Sequence, residues 1–148
     1  MTAPFFEEAE DAGFDQDFVL NVRDFRLGGD GQFLKLFKPR NAARGGTLGT
    51  VSTVNWEIAP TYELPAGSLV RLRLAVTDLT RIGTYSLTGA NAQVIALDSN
   101  PLPQPIAPEN LIIAPGQRAD IALRVPDTEG QTVTLSLQTQ KGPKTLAT

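Results

Sequence analysis

Residues 67–89 read GSLVRLRLAVTDLTRIGTYSLTG, and residues 112–125 read IIAPGQRADIALRV. In the first stretch Val70, Leu72, Leu74 and Val76 alternate with Arg71, Arg73 and Ala75. Successive side chains of a strand point to opposite faces, so this period buries the apolar set and leaves the arginines wet. The second stretch repeats the period with Ile121, Leu123 and Val125, and Gln93–Leu97 between them is another short apolar run. Gly, Pro, Asn or Asp closes each run. Such a succession predicts an all-β Greek-key sandwich or barrel of about seven or eight strands, with little helix.

Outward from this centre the same signals recur. Phe18–Leu27 reads as the first strand, with Phe18, Leu20 and Val22 on one face and a bulge near Asp24 where the apolar phase shifts to Phe25 and Leu27. Gly28–Gly31 is a turn, with Gln32–Phe37 as a candidate return strand ended by Lys38-Pro39. Thr50–Asn55, Thr84–Leu87, Asn110–Ile113 and Thr132–Gln138 complete the expected strands, the last with Val133, Leu135 and Leu137 inward. Ile58–Leu64 reads as edge-like because of Pro60. Asp98–Pro108 carries Pro101, Pro103, Pro105 and Pro108 and is expected to be an extended loop without a ladder of its own. No segment of ten or more residues carries a helical period.

Composition bounds the chemistry. A chain of 148 residues suits one domain with a sizeable core. A net charge of −3 argues against a broad nucleic-acid footprint. No apolar run is long enough to span a bilayer, so no membrane partner is expected. The sequence holds no cysteine and no histidine. That removes the commonest metal ligand, the commonest general base and the Ser-His triad together. Type 1 copper and the usual zinc sites are excluded on the same ground.

The remaining candidates each have a bland alternative that carries more weight. Glu7, Glu8, Glu10 and Asp11 cluster in an acidic leader, residues 1–16, where no scaffold fixes the separation that a catalytic carboxylate pair needs. Arg44 beside Gly45-Gly46 resembles an anion nest, but no P-loop lysine follows. Arg71 and Arg73 suit salt bridges across strands. Arg118 and Asp120 flank a strand start and suit a role in fixing the loop before it, and Asp98 suits a turn cap. Trp56, the sole tryptophan, suits packing better than ligand stacking. No catalytic, cofactor-binding or metal-binding residue is assigned. Phe5, Phe6 and Phe14 suit a linker that once packed on a neighbouring domain, and weak self-association is expected to follow.

The order of motifs resembles the middle, second domain of three-domain laccase-like multicopper oxidases, a cupredoxin-like domain. The carriers are FVLNVRDFRLGGDG (18–31), ARGGTLGTVSTVN (43–55), APTYELPAGSLVRLRLAVTDLTRIGTYSLTG (59–89), VIALDSNPLPQPI (94–106) and LIIAPGQRADIALRV (111–125). PAGSLVRLRL and IIAPGQRADIAL are the specific parts. Three departures concern turns: Trp56 and Ser99 stand where the family has Gly, and Ala75-Val76-Thr77-Asp78 stands where Leu-Asn-Ala-Ser is common. The resemblance implies a cupredoxin-like domain over residues 17–140, between the acidic linker and a polar tail, residues 141–148, with both ends reading as cut edges of a longer chain. It also implies flanking cupredoxin domains as partners, copper in the parent but not in this chain, and a periplasmic or secreted location. In the family the first and third domains hold the copper, mostly through His. The second carries none; it braces the others and shapes the substrate approach. An independent binding or adhesion module is the competing reading of the same sandwich, and a carboxylate enzyme is a third.

Overall fold

The computed structural model describes residues 13–43, 46–78 and 81–148. Its elements in chain order are β1 (Gln16–Phe25), α1 (Pro39–Ala42), β2 (Val51–Val54), β3 (Leu69–Val76), β4 (Gly83–Thr88), β5 (Asn91–Leu97), β6 (Asn100–Ile106), β7 (Leu111–Ile113), β8 (Arg118–Arg124), β9 (Thr134–Thr139) and β10 (Gly142–Ala147). The strands form a six-stranded sheet in the order β2-β1-β3-β8-β5-β6 and a four-stranded sheet in the order β10-β9-β4-β7. The only parallel pair among them is β1 with β3. Helix is confined to one turn among the described residues, as the missing helical period predicts.

The core lies between the sheets, where the alternation placed it. Val70, Leu72, Leu74 and Val76 of β3 are all buried, and so are Ile121, Leu123 and Val125. They meet Leu20 and Val22 of β1, Tyr85 and Leu87 of β4, and Leu135 and Leu137 of β9. Each such side chain contributes about 1.5–3 kcal/mol relative to exposure. β3 and β8 pair from Leu69↔Arg124 to Ala75↔Arg118 without a shift. The turns feeding these strands need left-handed backbone, and Gly supplies it: Gly67 of the Pro-Ala-Gly turn has φ +72° and Gly116 of the Ala-Pro-Gly turn has φ +84°.

Several expectations are corrected. Ten strands are present among the described residues, more than the alternation predicted. Residues 98–108 are not a loop without a ladder: Asn100–Ile106 is β6, the edge strand beside β5. Its prolines fall at every second residue, and an edge strand can turn the missing donors away from its one neighbour. The tail is also a strand. β10 pairs with β9, buries Leu146 and Ala147, and lays Lys144 Nζ 2.9 Å from Ser52 Oγ on β2, joining the two sheets. No bulge occurs at Asp24, since Val22↔Val54 to Phe25↔Val51 run in register. The apolar phase shifts there because Phe25 faces outward with Arg23, against Trp56. Gln32–Phe37 makes only one bridge, Leu27↔Phe33. At the other end of β1, the Asp15 N–H donates to the Leu69 carbonyl and its carboxylate accepts from the Leu69 N–H, both at 2.8 Å. Among the described residues, the domain's hydrogen bonds thus reach into the segment read as leader. Phe5, Phe6, the acidic cluster at 7–11 and the Arg44-Gly45 pair lie outside the described residues.

Candidate functional site

Arg71 and Arg73 leave the same face of β3 and converge on Asp17 of the neighbouring β1. Arg73 gives two bonds, Nε to Oδ1 at 2.7 Å and Nη2 to Oδ2 at 2.6 Å, and Arg71 gives two to Oδ2, from Nη2 and from Nε, the latter at 3.0 Å. The hydrogen bond from Arg73, helped by Arg71 and opposed by partial burial, holds the Asp17 carboxyl at about 2, below its usual 3.8. The Arg71 guanidinium also lies 5.2 Å from the Phe14 ring centre. These arginines therefore serve the cross-strand salt bridging that their alternation suggests. Asp98 accepts the Arg118 N–H at 2.8 Å and so ties the β5–β6 turn to the start of β8. Asp120 lies opposite Arg73.

A buried charge cluster escaped the sequence reading. Arg81 Nη2 lies 2.8 Å from Asp24 Oδ2, and its Nε 3.6 Å from Asp78 Oδ2, with all three side chains largely buried. The Tyr85 phenol beside them is pushed up, first by burial and then by Asp78. The cluster clamps the connection after β3 onto the end of β1. The pair Asp78/Arg81, three apart, was its one local signal; Asp24 is 57 residues distant. Breaking such a pair leaves a buried charge uncompensated, which costs about 3–5 kcal/mol.

One end of the sandwich opens into a cavity of about 620 Å3. Phe18, Leu20, Leu72, Leu123 and Leu135 form its floor, and residues 61–66, Pro126 and residues 128–133 its rim. Its charged lining residues are Glu63 and Glu129. Thr61 and Thr148 in its lining pair with each other through their hydroxyls at 3.0 Å, and the apolar floor can shelter apolar groups. On the outer face at the other end of β1, Phe25 packs against Trp56 and Phe33, with ring centres 5.9 and 6.4 Å apart, and Arg23 covers both Phe25 and Trp56. Trp56 is thus a surface aromatic.

No family model matches the chain. It is 38% identical to a multicopper oxidase from Pseudomonas thermotolerans, with a TM-score of 0.76 over 92% of this chain and 34% of that one. A multicopper oxidase from Pseudomonas parafulva gives 34% identity and a TM-score of 0.75 over 96% of this chain and 35% of that one. Cell division protein FtsP of Pectobacterium atrosepticum is 36% identical over 121 residues, 81% of this chain and 24% of that protein. The chain thus spans about a quarter to a third of the length of these relatives. It is a cupredoxin-like domain of the laccase-like multicopper oxidase family.

The family's motifs acquire reasons in this domain. Asn55, the Asn of the family's Val-Asn-Gly, pegs the β2 turn to β1: its side chain accepts from the Asn21 N–H at 2.9 Å and donates to the Val19 carbonyl at 2.9 Å. The next residue must be left-handed. Trp56, standing at the family's Gly, has φ +73°, and Ser99, at the other family Gly, has φ +67°. With Asn55 at +49° and Asp98 at +49°, both are two-residue turns with positive φ throughout, the form that favours Asn-Gly or Asp-Gly. The sequence offers neither imidazole nor thiolate, and no cluster of three His, Cys, Asp or Glu among the described residues could hold a metal ion.

Proposed function

We propose that this chain is the second, copper-free domain of a laccase-like multicopper-oxidase protein, and that it braces the copper-bearing domains and shapes the substrate approach. The observation that carries the reading is a cupredoxin-like sandwich without one His or Cys in 148 residues. A first or third domain needs those side chains to ligate copper. In this reading the flanking cupredoxin domains are its partners, copper belongs to them, and the location is periplasmic or secreted. The domain occupies residues 17–140 at least, extended by β10. Copper(II) titration followed by calorimetry and visible absorption tests the reading. Only weak carboxylate binding is expected, because hard oxygen donors alone do not make a soft copper site. An intense thiolate-to-copper band or a stoichiometric tight site would sink it. No phenol oxidase activity is expected of the chain alone.

The match to FtsP favours a second reading for the whole protein, a role in cell division on the multicopper-oxidase fold. Cell length in a strain lacking the parent gene separates the two, since an oxidase alone leaves division unchanged. An independent binding module remains the competing reading of the domain. It predicts a ligand for the isolated chain and no effect of flanking domains on its stability.

A further inference from the structure

We propose that residues 33–40, with Phe25 and Trp56 behind them, form a peripheral docking surface for a bilayer that carries anionic phospholipid. The stretch reads FLKLFKPR. Phe33 is 70% exposed, Leu34 40%, Leu36 52% and Phe37 63%, so four of five consecutive residues present large apolar side chains to solvent. The same eight residues hold Lys35, Lys38 and Arg40 and no acid, in a chain whose net charge is −3. The segment connects β1 to β2 and, apart from the Leu27↔Phe33 bridge and the single turn of α1, belongs to no ladder. Phe25 places Phe33 and Trp56 on one surface, and Arg23 lies over the Phe25 and Trp56 rings.

The arrangement of charge and grease favours lipid over a folded partner. A protein interface gathers its apolar groups in a core and sends lysine to the rim, where water remains. Here Lys35 and Lys38 interrupt the phenylalanines and leucines, so a tight apolar core cannot form without burying ammonium groups, and a second copy of the chain could make only a weak contact. At a bilayer surface the same alternation is satisfied: rings and leucines enter the headgroup–acyl boundary while the long lysine stems reach back to phosphate. Tryptophan is enriched at that depth for the same reason. The backbone stays in the wet headgroup layer, as irregular backbone must. The lack of a long apolar run bears on spanning a membrane and leaves surface contact open.

The test is co-sedimentation of the chain with vesicles of phosphatidylcholine containing about three-tenths phosphatidylglycerol, at low salt, with pure phosphatidylcholine vesicles alongside. Binding is expected to the anionic vesicles alone, to weaken as salt screens it, and to blue-shift the fluorescence of Trp56, the only tryptophan. Lys35→Gln with Lys38→Gln should lower partitioning by roughly tenfold or more. Phe33→Ala with Phe37→Ala should lower it by a similar factor. Both pairs are exposed, so an unchanged far-UV spectrum will show that folding is intact. No binding to anionic vesicles overturns the proposal. So does wild-type binding by the Phe33/Phe37 variant, which would assign adsorption to charge alone, or capture by a soluble acidic polypeptide with the vesicles ignored, which would assign the face to a protein partner.

Discussion

At the residue scale, the two family glycines that this chain lacks mark stored backbone strain. A left-handed non-Gly residue costs about 1–2 kcal/mol, and Ser99 has φ +67° at the tip of the β5–β6 hairpin. Ser99→Gly relieves that cost against the greater freedom of Gly in the unfolded chain. A net gain of about 1 kcal/mol is expected, read as a rise of about 3 °C in a thermal melt. Trp56→Gly relieves the same strain at φ +73° but removes the ring packed against Phe25, so its melt should move less than that of Ser99→Gly. Asp17 gives a pH signature. Its folded carboxyl titrates at about 2 against 3.8 when unperturbed, chiefly through the Arg73 hydrogen bond. A depressed folded value means that the stabilisation is fully present above the unfolded value and is lost as pH falls from about 4 to about 2. Asp17→Asn should flatten the stability profile in that window and leave two arginines facing each other at neutral pH. The pair is partly exposed, so the effect will shrink with added salt. Stability measured by denaturant at pH 2, 3, 4 and 7 checks this; parallel profiles for the two proteins would remove Asp17 from the account.

At the element scale, β10 belongs to the folded body and is not a solvated tail. Deleting residues 142–148 removes Leu146 and Ala147 from the core, uncovers Leu135 and Leu137 of β9, and takes away the Lys144–Ser52 bond between sheets. Burial of that size is worth several kcal/mol, a large share of what holds a small domain together. Urea melts are expected to show loss of most of the cooperative transition, whereas trimming a solvated tail would change nothing. The sequence signalled β3 clearly because Val70, Leu72, Leu74 and Val76 alternate against arginines, and a one-residue slip would have buried guanidinium groups. β10 gave no such signal, since GPKTLA has its apolar residues only at the end. β6 was hidden by proline, which removes donors from a ladder but does no harm on the side of an edge strand that has no neighbour. The outward turn of Phe25 imitated a bulge because its partner, Trp56, is 31 positions away and no periodicity links them. The Asp24–Arg81 pair was illegible for the same reason, being closed by topology and not by spacing. The family resemblance was legible because its motifs sit on turns, where particular backbone angles demand particular residues.

At the scale of the whole molecule, the question is what the exposed surfaces do when nothing covers them. Strand edges give one route to association. In the six-stranded sheet those edges are β6, with three prolines, and β2, with four residues; β7, at one edge of the other sheet, has three. Proline and shortness blunt these three edges, so ladder pairing through them is disfavoured; β10, the fourth edge, has six residues but carries Pro143 and is tied to β2 through Lys144 and Ser52. The apolar route stays open. Trp56 is 65% exposed and is joined to the Phe33–Phe37 stretch through Phe25, and contiguous patches of this kind seek partners. Phe14, in contrast, is half-buried beneath Arg71. Weak, concentration-dependent association is therefore expected through the Phe33–Trp56 surface. Light scattering across a concentration series should show a rising mean mass for the wild type and a constant one for Phe33→Ser with Trp56→Ser. Removal of residues 1–12 should leave the rise in place. If that removal abolishes it, Phe5 and Phe6 carry the contact, and the leader is the adhesive element. A constant monomer mass for every variant would mean that this surface is too divided by its lysines to hold a second copy, and would count against any assembly of the isolated domain.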